Sequence, residues 1–252
     1  MHTVPGAFQK LQQLYAEGEA AVDAGDLETA VAKFTEGLGI DDHFRQRYIT
    51  MYAQRAFALQ RLGRLEEAIA DYSKALEMGE PPVNQAQYFF HRGLALQNLP
   101  AEGDARRANV ERAIADYGRS IELYPDHPGP YHLRGKLLVN ELEKFAEALP
   151  DLDRTLSMKE NADALALRGF ARFNLDRFEE ARADFERAKA LSGDPYAEYM
   201  LAACAAKLGR AEDLVAHARA CLAADPSYKE YFTDDDDFAP FRSNPAFAAL
   251  LG

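Results

Sequence analysis

Apolar residues recur along this chain at helical spacing, and the pattern repeats. Four segments carry nearly the same string: RLEEAIADYSKAL (64–76), VERAIADYGRSI (110–121), KFAEALPDLDRTL (144–156) and RFEEARADFERAK (177–189). Each opens on a charged or polar turn and then places apolar residues on one helical face. Upstream of each lies a second helical string: MYAQRAFALQRLG, YFFHRGLALQNLP, YHLRGKLLVNELE and LALRGFARFNLD. Two helices and a short turn, repeated, predict a series of helical hairpins and an all-α chain.

The small residues predict how the hairpins close. Gly18, Ala56, Gly93, Gly135 and Gly169 fall in the middle of the first helices, where a glycine costs about 1 kcal/mol relative to alanine unless a neighbour approaches closely. The second helices answer with Ala30, Ala68, Ala113, Ala148 and Ala181, and a larger ring follows one turn later at Phe34, Tyr72, Tyr117 and Phe185. The rings are expected to wedge against the next hairpin. Each hairpin alone leaves one face bare, so the units should stack into a solenoid.

These residues resemble the tetratricopeptide repeat family, whose 34-residue unit keeps small residues at positions 8, 20 and 27 and an aromatic at 24. The resemblance implies a right-handed superhelical solenoid of about six hairpins, with units near 11–44, 49–82, 86–127, 128–161, 162–195 and 195–228. The third unit carries an insertion at 100–109 with Arg106 and Arg107, which predicts either an enlarged loop or a lengthened helix. Pro150 removes a backbone donor from its helix and should bend it. In the last unit Leu214 and Ala218 replace the alanine and the aromatic, as in a degenerate terminal repeat. The segment 229–252 resembles a C-terminal extension of bacterial arrays of this family, which implies a cap in which Phe238, Phe241, Phe247 and Leu251 plug the last apolar face. Asp234 to Asp237 lack the spaced ligands, glycine and distal glutamate of a calcium loop, so a solvated, helix-capping turn is expected there.

Composition narrows the partners. In 252 residues there are 29 Lys and Arg against 41 Asp and Glu, a net charge of −12, which argues against nucleic acid or anionic membranes. No apolar run reaches the roughly 18 to 20 residues of a spanning helix. With two cysteines and no leader-like pattern at the start, the chain reads as a reduced, cytoplasmic protein. Cys204 and Cys221 fall at alanine-like positions and read as small buried thiols. His2, His43, His91, His127, His132 and His217 show no metal-ligand spacing, and neither a phosphate loop nor a nucleophile elbow occurs. No cofactor and no catalysis are expected.

Arginine precedes the small position in four units, at Arg55, Arg92, Arg134 and Arg168, and the same four units carry Asp71, Asp116, Asp151 and Asp184 on the second helix. A basic ladder for a peptide carboxylate is one reading; joint presence and joint absence point instead to an Arg–Asp pair inside each hairpin.

The family resemblance further implies that positions 2, 5, 9, 12 and 13 of the first helices line a concave groove. In this chain they give Tyr15 and Glu19; Ala53, Phe57 and Gln60; Phe90, Leu94, Gln97 and Asn98; His132, Lys136, Val139 and Asn140; Ala166, Phe170, Phe173 and Asn174; and Tyr199. Phe57, Phe90, Leu94, Phe170 and Phe173 would form an exposed apolar patch for a partner, or turn inward as core. Asn98, Asn140 and Asn174 would be either a ladder for an extended peptide or helix terminators. The family's carboxylate clamp for acidic C-terminal motifs of heat-shock chaperones fails, since its positions hold Tyr15, Glu19, Gln54, Gln87 and His91. The expectation is a non-catalytic scaffold or adaptor holding a peptide or partner helix in its groove. The alternatives are a self-assembling module, homo-oligomeric through tail or groove, and a regulator sensing a short peptide.

Overall fold

The structure is a computed structural model that describes residues 6–40, 45–79 and 81–252. His2 and His43 lie outside the described residues. Among those residues the chain is entirely helical, with fourteen α-helices and one short 3-10 helix. The hairpin helices are α1 (Ala7–Asp23), α2 (Leu27–Leu38), α3 (Arg45–Arg61), α4 (Leu65–Met78), α5 (Pro82–Asn98), α6 (Gly103–Leu123), α7 (Pro128–Asn140), α8 (Phe145–Met158), α9 (Ala162–Asn174), α10 (Phe178–Ser192), α11 (Pro195–Lys207) and α12 (Ala211–Ala224). The tail adds α13 (Tyr228–Asp234), the 3-10 turn Asp236–Phe241 and α14 (Pro245–Leu251). The chain divides into two compact units, Met1–Pro130 and Tyr131–Gly252.

The turns explain why one helix stops and the next starts. Most first helices end on a left-handed residue: Gly25, Gly63 and Gly209 take φ of 78°, 76° and 70°, and Glu143 and Asp176 take 52° and 59° at the equivalent place. The residue after each then donates back into the helix, as Arg64 N to Leu59 O at 2.9 Å and Arg177 N to Arg172 O at 2.9 Å, which occupies carbonyls the helix end would leave bare. Asp26 caps α2 through Thr29 N, and Asn161 caps α9 through Ala164 N at 2.7 Å.

Within unit one, α1 packs on α2, α3 on α4 and α5 on α6, with α2 against α3 and α4 against α5. A Cβ on Gly18 would lie 2.5 Å from the Phe34 ring, and one on Gly93 would lie 2.8 Å from Tyr117. The missing side chain is therefore the seat of the aromatic ring. The rings thus serve their own hairpin as well as the next. Each sits first on the glycine or alanine of its own hairpin, and Tyr72 then stacks on His91 of the following one, centroids 6.0 Å apart.

The 100–109 insertion is a lengthened helix. Chain that was expected to be loop or helix forms the opening turns of the 21-residue α6. Arg106 donates from Nη1 to Gln97 O at 2.5 Å, tying the extension to the end of α5, and Arg107 pairs with Glu111 on the surface.

Unit two contains α8 to α12 and the cap. α8 runs unbroken through Pro150. Phe232, Phe238 and Phe247 are completely buried against Leu214, Val215 and Ala218 of α12 and against Ala202 and Ala206 of α11. The tail thus covers the last hairpin of its own chain, with Phe241 and Leu251 packed at the edge of the same cluster. The acidic run is divided in its roles: Asp235 caps the 3-10 turn through Asp237 N, and Asp237 meets Lys207 at 2.5 Å.

Candidate functional site

Each of the four arginines grips the aspartate of its own hairpin with two nitrogens. Arg55 reaches Asp71 at 2.6 and 2.8 Å, Arg92 reaches Asp116 at 2.8 and 2.7 Å, Arg134 reaches Asp151 at 2.7 Å twice, and Arg168 reaches Asp184 at 3.0 and 2.6 Å. All four carboxylates are buried, so these groups are consumed inside the hairpins and none is offered as a ladder to a ligand. Three arginines also use Nη1 to reach the preceding second helix: Arg55 to Thr35, Arg92 to Ser73 and Arg168 to Asp153. Asp184 takes a second arginine, Arg172, at 2.6 Å. Hydrogen bonding to Asp71 raises the Arg55 pKa above its already high value.

The candidate groove residues fall into three groups. Tyr15, Phe57, Phe90 and Leu94 belong to unit one and are half-buried. Tyr15 lies under Arg47 and bonds Glu19 and Gln54, and burial pushes its phenol up to about 12. Phe57 meets His91 edge-on, while Phe90 lies between His91 and His127 at 5.3 and 5.1 Å. Phe90, His91, Ser120, Tyr124 and His127 line a small cleft of about 240 Å³. Burial, and then the neighbouring His127, lower the His91 pKa.

In unit two, Phe170 meets Phe145 edge-on and Phe173 meets Phe178, with Lys207 over the Phe173 ring. Phe57, Phe90, Leu94, Phe170 and Phe173 are each partly buried, with Arg61 over the Phe57 ring. Asn98 and Asn174 spend their amide nitrogens on Leu94 O and Phe170 O one turn back, each at 2.9 Å, so these two terminate helices. Asn140 differs and borders a cleft.

Tyr199 forms the third group and is removed from any groove by the cap. Its ring is surrounded by Tyr228, Tyr231, Phe232 and Phe238, and its hydroxyl donates to Asp235. Desolvation and that carboxylate raise its pKa.

One well-formed concavity belongs wholly to unit two. It is a cleft of about 490 Å³ whose walls are Asn140, Asp163, Ala166, Leu167, Phe170, Ala188, Ser192, Asp194 and Tyr196. Its lining combines apolar side chains with a few polar ones, the makeup of a ligand site. At one edge His132 Nε2 lies 3.0 Å and Lys136 Nζ 3.6 Å from Asp163 Oδ2. The hydrogen bond from His132, supported by Lys136, holds the Asp163 carboxyl below the usual carboxylate range. Among the described residues His132 Nδ1 and Arg172 Nε are buried without a partner. His132, Lys136, Asn140 and Phe170 are thus brought together. Asp163, Asp194 and Tyr196 were missed from sequence, although Asp163 holds the second position of its unit, in the same series that gave Ala166 and Phe170.

Among the described residues no group of three metal-binding side chains occurs, and no helix is long and apolar enough to cross a membrane. Cys204 and Cys221 are buried, and desolvation pushes both thiols up to about 12.

Stacked helical hairpins with a small-residue seat under each ring define a helical repeat protein. The tetratricopeptide repeat family model matches residues 49–78 and 162–195. Tetratricopeptide repeat protein 36 of Mus musculus is 31% identical over 138 residues, 52% of this chain and 71% of that protein. The chain belongs to the tetratricopeptide repeat family. Hsp70-Hsp90 organizing protein 3 of Arabidopsis thaliana is 25% identical over 222 residues, 86% of this chain but 37% of that protein, so the chain spans about a third of such relatives. Among solved structures, a tetratricopeptide repeat protein from Parabacteroides merdae aligns with a TM-score of 0.65 at 17% identity, over 96% of this chain and 98% of the other. YrrB, a TPR protein described as having an unusual peptide-binding site, aligns with a TM-score of 0.65 at 21% identity over 77% of this chain and 93% of its own. These likenesses show the all-α repeat solenoid as the shared fold.

Proposed function

We propose that this protein is a non-catalytic adaptor that holds a peptide segment of a partner protein, with the unit-two cleft as its principal docking point. The carrying observation is the cleft itself, about 490 Å³ of space lined by Ala166, Phe170 and Tyr196 together with Asn140, Asp163 and Asp194. Such a surface buries one or two partner side chains and orients the backbone through Asn140, the one asparagine of the three whose amide is not hydrogen-bonded into its own helix in this structure. The Hsp70-Hsp90 organizing proteins and YrrB carry protein assembly and peptide binding in their names, which supports the same class of activity here. An acidic C-terminal peptide is disfavoured, because Tyr15, Glu19 and Gln54 make an edge without a clamp lysine.

The test is a peptide phage-display selection against the full chain, followed by binding of each enriched peptide to Ala166→Trp, which fills the cleft, and to Phe170→Ala, which removes part of its apolar lining. A thermal melt checks that each variant is folded. The enriched peptides should lose at least about tenfold in affinity on both, the size of a central anchor contact. Enriched peptides that bind both folded variants as well as the parent refute the docking point.

A further inference from the structure

The cleft of unit two has a chemical bias that its apolar side chains do not explain. Two carboxylates, Asp163 and Asp194, stand on its walls, and no lysine or arginine lines it. Each carboxylate is only half used. Asp163 gives Oδ2 to both His132 and Lys136. Asp194 gives Oδ1 to Tyr196 N at 2.9 Å as the cap of α11. Asp163 Oδ1 and Asp194 Oδ2 face no protein donor among the described contacts. The first turns of α9 and α11 do not make this an anion site, because Asn161 and Asp194 already cap them.

Resting on the adaptor reading above, we propose that the cleft receives a basic side chain of the bound peptide, its aliphatic stem over Phe170 and Tyr196 and its cation between Asp163 and Asp194. Lysine and arginine stems lie along apolar surface while the charged head seeks polar partners, and an aromatic wall beneath the cation adds to the attraction. The net charge of −12 draws such a peptide in from a distance. Lys136 already shares Asp163 Oδ2, so the added attraction for the incoming cation comes from Asp163 Oδ1 and the Asp194 carboxylate.

The test uses two fluorescein-labelled amphipathic peptides of about 15 residues, with the same leucines at helical spacing and either lysine or glutamate at every polar position. Fluorescence anisotropy is read at low salt with the full chain and with Asp163→Asn, Asp194→Asn and, as a control on the α6 extension, Asp104→Asn. Asparagine keeps the cap at 194 and the size at 163, so folding is preserved. The lysine peptide should bind more tightly than the glutamate peptide and weaken about fivefold in each cleft variant, the size of a partly exposed ion pair, with no change in Asp104→Asn. Equal weakening in all three variants, no weakening in any, or a glutamate peptide bound as tightly overturns the inference. If the phage-selected peptides are blocked by Ala166→Trp yet carry no basic residue, this inference falls and the adaptor reading stands. If selection enriches nothing, both fall.

Discussion

Replacing Asp184 by alanine tests the energetic logic of the hairpins at its most loaded point. The Asp184 side chain is 4% exposed and accepts from Arg168 and Arg172, which are 18% and 16% exposed. Removing the carboxylate leaves two guanidinium groups largely out of water. Breaking a buried pair in this way costs about 3–5 kcal/mol. The loss is moderated because Arg168 keeps Asp153 at 2.6 Å and Arg172 keeps Glu180 at 3.7 Å, so about 3 kcal/mol is expected. For a chain of this length that corresponds to a fall in Tm of about 6–12 °C. Scanning calorimetry and urea unfolding followed by circular dichroism measure it, with Arg177→Ala as the comparison. Arg177 pairs with Glu180 on the surface, 43% and 48% exposed, and its loss should leave the melt almost unchanged. A double-mutant cycle between Arg168 and Asp184 should return a coupling of about 1.5–3 kcal/mol. If Asp184→Ala costs less than about 1 kcal/mol, or no more than Arg177→Ala, the buried network contributes no more than an ordinary surface pair and the reasoning fails.

His91 is packed against Phe57, Tyr72, Phe90 and His127, and its lowered pKa means that the unfolded chain takes up a proton before the folded chain does. Its share of stability is complete above about pH 6.5 and lost as the pH falls toward the folded value, so His91→Gln should flatten the decline in urea midpoint between about pH 6.5 and 5; an unchanged slope contradicts this. Cys204 and Cys221, with thiols pushed up to about 12, should resist Ellman's reagent at neutral pH and react fully in denaturant, and rapid labelling of the native chain refutes their burial. Glu143 holds φ at 52° where other turns use glycine, so Glu143→Gly should raise stability by about 1 kcal/mol in urea titration, whereas a loss would mean that its side chain offsets the strain.

The hairpins were legible because their seats and rings are written at fixed intervals: a glycine at 93 calls for a large partner, and Tyr117 supplies it. The arginine and aspartate positions could be singled out because they come and go together. The reach of Arg92 to Ser73 could not, since it joins residues of different repeats through a side chain whose path depends on the packing. The groove was legible as a set of positions and not as a surface. Whether Phe90 faces solvent depends on where His91 and His127 rest, and Tyr199 lay on the same series until the tail covered it. Asp163 shows the opposite error. Its position was accessible to counting, but attention to aromatic and amide residues passed over a carboxylate that marks the cleft.

The arginines of the hairpins hold a consequence for how such arrays change length. Arg55, Arg92 and Arg168 each bind an aspartate on their own second helix and a polar residue on the one before, at Thr35, Ser73 and Asp153. Those acceptors immediately follow Phe34, Tyr72 and Leu152, the residues that face the small seat. The stretch of gene encoding the hairpin at 49–82 therefore carries both the hook for its predecessor, Arg55, and the eye for its successor, Ser73. Tandem duplication of that stretch creates a new junction already furnished with both parts, and deletion rejoins neighbours that still fit. Arrays built this way can lengthen or shorten by whole repeats without compensating substitutions elsewhere.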